Sequence, residues 1–235
     1  MTANLLFDAI LQPLVIRAVG FDLDDTLAVT STDRKTLLRE AAADAEVELS
    51  FGREEYRKAH DEYSGTASRE PVFEALVGDD ASAMARAYRD AVGTALEAVP
   101  SAADTVARLR GRYRVGVLTD GPDDTQRDKL HRLGWHDAFD AVVTTGTLDA
   151  PKPDGRTFRE LCAALDADPS ETVYVGDNPE RDIAGAAAAG LVPVQVMYGG
   201  GPSAHPDAVA AIPRTELGSL PGLIDSLGGD SSDDR

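Results

Sequence analysis

The chain of 235 residues has a single cysteine, Cys162, which excludes an intramolecular disulfide and any zinc site built on cysteines. No apolar stretch approaches the roughly 20 residues needed to cross a bilayer. The first ten residues lack the charged start and small-residue cleavage site of a secretory signal. Lysine is scarce, with four residues (Lys35, Lys58, Lys129, Lys152) against 19 arginines. Positive charge as a whole is in the minority: 23 Lys and Arg face 41 Asp and Glu, a net charge of −18. Such a surface offers little to neutralise nucleic-acid phosphates or to hold an anionic bilayer. The expectation is a soluble cytoplasmic enzyme that binds neither nucleic acid nor membrane.

What is abundant is aspartate, 28 residues against 13 glutamates. Two origins fit this pattern. Short carboxylates stay hydrated and self-repelling, which keeps a protein soluble in a salt-rich cytoplasm. A GC-rich genome also trades Lys for Arg and favours Ala. The 43% of hydrophobic residues suffices for an ordinary core.

Short apolar runs rich in β-branched residues at 15–21, 114–118, 141–144, 172–175 and 192–196 read as buried strands. Helical patterns at 102–110, 124–133, 156–165 and 180–189 separate them, so the strands would run parallel in a doubly wound, Rossmann-like α/β sheet. The interval 33–100 breaks this rhythm. It shows no convincing strand, only helical patterns at 35–47, 53–63, 70–77 and 81–98, and is too long for one crossover. It is expected to be an inserted all-α domain between core segments 15–32 and 101–227. Residues 1–14 would form an extension, with an amphipathic helix in the first dozen, and 228–235 a polar, disordered tail. A short run at 208–212 and a helix at 216–227 complete the core.

The chemistry-bearing residues fall at strand ends. Asp22 and Asp24 stand two apart in Phe21-Asp22-Leu23-Asp24-Asp25-Thr26, where alternation along an extended chain would send both carboxylates to one side. Such a pair can bind a hard cation such as Mg²⁺, or divide the roles of nucleophile and proton carrier. Thr119 ends the second run, Lys152 lies in Ala150-Pro151-Lys152-Pro153-Asp154, and Asp177 and Asp182 follow the fourth run. All would gather at the carboxyl edge of the sheet. A hydroxyl, an ammonium and several carboxylates converging there make a site for phosphate with Mg²⁺.

In these four motifs, in this order, the sequence resembles the haloacid dehalogenase-like (HAD) superfamily of hydrolases. The resemblance spans essentially the whole chain, and the helical insert lies where that superfamily carries its cap. It implies that Asp22 is the nucleophile forming an aspartyl-phosphate and Asp24 the general acid and then base. Thr119 and Lys152 would hold the phosphoryl group. Asp177 would complete the Mg²⁺ site with Asp22 and the backbone carbonyl of Asp24, and Asp182 would bond a metal water or Lys152. Thr26 would steady Asp24. Asp120 stands where many relatives have Asn, an extra carboxylate beside the phosphate that stays outside this set. Arg69, in the insert, is a candidate for a substrate's remote anion.

The implied activity is Mg²⁺-dependent hydrolysis of a small phosphorylated metabolite, a phosphoglycolate-like or sugar phosphate. Alternatives are a phosphomutase of the same superfamily, a dehalogenase, which does not need Asp24, and a phospho-accepting receiver module. A phosphonate-cleaving relative would need a lysine in the cap, where only Lys35 and Lys58 are available. Cys162 is expected in the core with Phe158, Leu161 and Leu165, Trp135 packed after a helix end at Gly134, and His60, His131, His136 and His205 in surface or structural roles.

Composition alone generates one prediction. The screening length is about 10 Å at 0.1 M salt and about 3 Å at 1 M, so molar KCl should suppress most of the self-repulsion of a −18 chain. Melting temperature and turnover are expected to rise from dilute to molar KCl at fixed pH; a flat or falling melting temperature would leave a merely acidic protein.

Overall fold

A computed structural model describes residues 14–63 and 68–228. The helix expected in the first dozen residues and all but Gly228 of the expected tail lie outside these. The chain forms β1 (Ala18–Phe21), β2 (Ala28–Thr30), α1 (Arg34–Asp44), α2 (Arg53–Tyr63), α3 (Glu70–Val77), α4 (Ala81–Thr94), β3 (Leu96–Ala98) and α5 (Ala102–Arg110). It continues with β4 (Arg114–Thr119), α6 (Asp123–Arg132), β5 (Ala141–Thr144), α7 (Gly155–Leu165) and β6 (Thr172–Gly176). A wide π turn, Pro179–Ala184, runs into α8 (Gly185–Ala188), and β7 (Val192–Met197), β8 (Ala210–Pro213) and α9 (Leu220–Leu227) complete the order.

Six strands form one sheet in the order β5-β4-β1-β6-β7-β8, and every pairing is parallel. The chain builds outward from β1 through β4 to β5, then crosses back to β6 on the other side. The carboxyl end of β1 therefore sits at the switch point where such sheets bind ligands. Strand alternation assigns the two faces. Val19 and Phe21 join a core with Val106, Leu109, Val117, Val175, Leu220 and Ile224, from β4, β6, α5 and α9. Ala18, Leu118 and Tyr174 face Phe158, Leu161, Cys162 and Leu165 of α7. Cys162 is buried there as expected, and Trp135 is buried against Phe139 after the positive-φ turn at Gly134.

Glycine is required where α7 comes closest. Gly20 pairs with Gly116 on one side and Tyr174 on the other. A Cβ on Gly20 would stand 2.4 Å from Leu161 Cδ2 and 3.1 Å from Tyr174 Cδ2.

Helices α1–α4 carry a hydrophobic cluster of their own, with Leu37, Leu38, Tyr56, Phe73, Met84, Tyr88 and Val92 at its centre. Asp33 caps α1 by accepting the Lys35 and Thr36 amides. The expectation that 33–100 holds no strand is corrected. The last helix of the insert ends at Thr94, and Leu96–Ala98 pairs antiparallel with Ala28–Thr30. Helix propensity in this Ala-rich stretch is overridden because the Ala95 carbonyl accepts both the amide and the hydroxyl of Ser31, at 2.8 and 3.1 Å. The resulting two-stranded ribbon ties together the points where the chain leaves and re-enters the core. The helix expected at 180–189 is corrected as well, since its first part is the π turn.

Gly20→Ala is expected to overpack the α7 contact and lower stability by about 1–3 kcal/mol. Thermal unfolding measures this, and an unchanged melting temperature would contradict the close packing.

Candidate active site

The sheet brings the sequence-derived residues to one cavity of about 300 Å³, a volume suited to a small metabolite. Its lining includes Asp22, Asp24, Thr119, Lys152, Asp177, Asp182 and Arg69. Asp22 directly follows β1, and its amide continues the ladder by donating to the Val175 carbonyl at 2.9 Å. Beyond it the chain turns back sharply: Asp25 takes a positive φ of 62° and its amide bonds the Ala28 carbonyl at 2.8 Å.

The floor is built around the buried ammonium of Lys152. Its Nζ donates to Asp22 Oδ1 at 2.6 Å, Asp182 Oδ1 at 2.7 Å and the Tyr174 hydroxyl at 3.2 Å. Tyr174 in turn donates to the Leu118 carbonyl at 3.0 Å. Asp182 is fully engaged, because its second oxygen accepts the Asn178 amide at 2.9 Å. The π turn directs Asp182 back toward the floor, and Gly176 leaves room for it: a Cβ there would lie 2.5 Å from the Asp182 carboxyl carbon. Asn178, not Asp177, caps this turn by accepting the Glu180 and Arg181 amides.

Oxygens of Asp22, Asp177 and Asp182 lie within 4.8 Å of one another. Burial, opposed by Lys152, raises the proton affinity of Asp22 well above the usual carboxylate range, with Asp182 and Asp177 adding repulsion. Burial, then Asp182 and Asp25, pushes Asp177 up to about 7. Lys152, although buried, is held well above the ordinary lysine value by Asp182 and Asp22. The ammonium is therefore secure while the carboxylates remain in excess. Hard oxygen donors short of positive charge fit a divalent cation such as Mg²⁺.

Asp24 opens into the same cavity but keeps different company, correcting the idea that period-two alternation pairs it with Asp22. Both of its oxygens accept from the buried Lys129 ammonium, at 2.7 and 2.5 Å, and Arg34 lies 3.8 Å away. Despite burial, Lys129 and then Arg34 hold the Asp24 carboxyl well below the usual range. Lys129 itself is depressed, because burial together with Arg69 and Arg34 outweighs the attraction of Asp24. Both directions follow from three cations sharing one carboxylate. Thr26 lies 3.5 Å from Asp177 and is not bonded to Asp24.

The Thr119 hydroxyl ends β4, is buried, and has no hydrogen-bond partner among the described residues. Asp120 also lines the cavity, with its charge balanced: Oδ1 accepts the Lys152 amide at 3.1 Å and Oδ2 faces Arg181 at 3.4 Å. On the helical side the lining residues are Arg34, Arg53, Tyr56, Arg57, His60, Arg69 and Tyr88. Arg69 donates to the Tyr56 hydroxyl and lies over the Tyr88 ring at 5.6 Å. His60, expected in a surface or structural role, is thus part of the cavity wall.

A family model described as a haloacid dehalogenase-like hydrolase matches residues 16–190. The chain belongs to this family. It is a hydrolase by that membership, which sets aside the receiver reading. It is 32% identical over 226 residues to the glyceraldehyde 3-phosphate phosphatase of Methanopyrus kandleri, covering 90% of this chain and 97% of that protein. The 2-haloacid dehalogenase of Pseudomonas syringae pv. Tomato DC3000 is similar at 26% identity and a TM-score of 0.66, over 90% of this chain and 99% of that one. A HAD phosphatase from Thermococcus onnurineus shares the fold at 24% identity and a TM-score of 0.68, over 89% and 98%.

Sequence reasoning found Arg69 but missed Lys129, Arg34, Arg53, Tyr56, Arg57 and Tyr88. The signal for Lys129 was its rarity in this chain, combined with its place on the helix that follows Thr119. Lys129→Met is expected to cost about 1–3 kcal/mol by stripping a charged partner from Asp24. Asp24 has a lowered value when folded, so this stabilisation is complete above the ordinary 3.8 and is lost as pH falls through the folded value. The melting-temperature gap between wild type and variant should therefore be widest near neutrality and close in acid; a gap independent of pH would contradict the pairing.

Proposed function

We propose that this hydrolase is a Mg²⁺-dependent phosphatase that cleaves a small phosphomonoester through an aspartyl-phosphate on Asp22. The observation that carries the reading is the unpartnered, buried hydroxyl of Thr119 lining the same cavity as the Asp22–Lys152 pair. A buried donor without an acceptor is costly unless a ligand supplies one. A phosphoryl oxygen bonded by Thr119 and Lys152 would do so. The name of the Methanopyrus kandleri relative favours the same chemistry over dehalogenation, as does Asp24, which an alkyl-ester mechanism does not need.

Asp22 and Asp177 would hold Mg²⁺, with the backbone carbonyl of Asp24 as a further ligand and Asp182 anchoring Lys152. The ion would supply positive charge to offset the repulsion between carboxylate and phosphate. The Asp22 carboxylate attacks phosphorus, the ester P–O bond breaks, and the leaving oxygen takes a proton from Asp24. Asp24 then takes a proton from the water that attacks the aspartyl-phosphate, which releases inorganic phosphate and restores Asp22. In the geometry described Asp24 is ionised, the form that serves the second half. Its acid role requires the Lys129 pair to loosen as substrate charge enters.

In this reading segment 33–100 is a cap over the core formed by 15–32 and 101–227. It closes the site to bulk water and so favours small soluble metabolites over phosphoproteins. The acidic, lysine-poor composition fits work in a salt-rich cytoplasm.

Phosphate release from a panel of metabolite phosphates, with Mg²⁺ and with chelator, tests the proposal, and also separates a phosphatase from a phosphomutase. Asp22→Asn is expected to lower turnover by at least about a thousandfold, while Asp177→Asn should raise the Mg²⁺ concentration required. Substantial turnover by Asp22→Asn would overturn the covalent route.

A further inference from the structure

Among the described residues, the helical wall of the cavity holds no acid. Its residues are Arg34, Arg53, Tyr56, Arg57, His60, Arg69 and Tyr88, in a chain where Asp and Glu outnumber Lys and Arg by 41 to 23. Arg53, Arg57 and His60 stand at i, i+4 and i+7 of α2, with Tyr56 between them, so one face of that helix looks into the cavity. Exposed arginines are ordinarily just solvated. These two differ in placement: neither has a carboxylate within ion-pair distance among the described side chains, although Glu54 and Lys58 on the same helix pair with each other at 3.2 Å. Deeper in, Arg34, Arg69 and Lys129 gather around Asp24, with Asp25 also facing Arg34. The wall carries more positive charge than its own acids balance.

A reacting phosphoryl group does not need this charge, because Lys152 and Thr119 line the opposite, core side. We propose that the substrate carries a second anionic group, a carboxylate or a second phosphate, held by Arg53, Arg57 and His60 with Arg69 beneath, while its ester phosphate lies at Asp22. The inference rests on the phosphatase reading and narrows its substrate class. It separates this chain's substrate from glyceraldehyde 3-phosphate, whose far end is uncharged. Arginine suits either anion, because its planar fork bonds two oxygens at once. A cationic mouth on a protein of net charge −18 also draws in an anion that the rest of the surface repels.

The test compares kcat/KM at fixed Mg²⁺ and ionic strength for three probes. Glycerol 3-phosphate ends in a hydroxyl, 3-phosphoglycerate in a carboxylate, and fructose 1,6-bisphosphate in a second phosphate. One of the two charged-ended probes is expected to exceed glycerol 3-phosphate by about tenfold to a hundredfold, the worth of a charge-assisted contact, and the better of the two identifies the anion. Equal kcat/KM for all three would overturn this inference and leave the phosphatase reading standing. No phosphate release from any metabolite phosphate would overturn the phosphatase reading itself.

The double variant Arg53→Gln/Arg57→Gln changes two exposed side chains without emptying the core. It is expected to bring the ratio of charged-ended to neutral-ended kcat/KM close to one, mainly through KM. A ratio that survives the double substitution would overturn the assignment to this wall.

Discussion

The site depends on one buried ammonium. Lys152 sits where Asp22, Asp182 and Tyr174 converge, and a buried charge is tolerated only when its donors are filled. Filling them fixes much of the surrounding structure. Tyr174 reaches across from β6 beside Gly20 of β1, where a Cβ would crowd its ring at 3.1 Å. Asp182 must turn back from a helix, which requires the π turn after Asn178 and a bare backbone at Gly176. The end of β1, the tyrosine of β6 and the π turn thus meet at a single side chain.

That solution leaves the carboxylates in excess, and the remainder of the cavity answers the imbalance. Asp22 and Asp177 are pushed toward protonation by burial and by their neighbours, which is the electrostatic counterpart of an affinity for a hard cation. Asp24, only two residues from Asp22, is driven the opposite way because α6 and α1 surround it with Lys129 and Arg34. Two aspartates in one short loop therefore acquire opposite proton affinities from their surroundings.

How much of this was legible in the sequence depended on range. The core strands β1, β4, β5, β6 and β7, their parallel direction and the four strand-end motifs were readable because apolar runs and the helical patterns between them are local. The bounds of β5 and of α2 and α3 followed from apolar runs and helical periodicity alone. The strand β3 was not readable, since its three residues pair with β2 across the whole helical insert. The pairing of Lys129 with Asp24 was not readable for the same reason, since the two meet from 105 residues apart, although the scarcity of lysine marked Lys129 itself. The π turn was hidden because the pull of Asp182 toward Lys152 is a tertiary force on an otherwise helical segment. His60 looked ordinary until the face of α2 on which it stands became the wall of a cavity.

Asp120 shows why residue-by-residue reading falls short at such a site. Taken alone, a carboxylate at Asp120 adds negative charge to a cavity that already holds several acids. In the fold its two oxygens are committed, one to the Lys152 amide and the other toward Arg181. Arg181 stands on the same π turn that delivers Asp182 to the ammonium. The turn that secures the lysine side chain thereby also offsets the acid that braces the lysine backbone. The added charge is absorbed into the scaffold of the floor, and the open side of the cavity is left to the arginines of the helical wall.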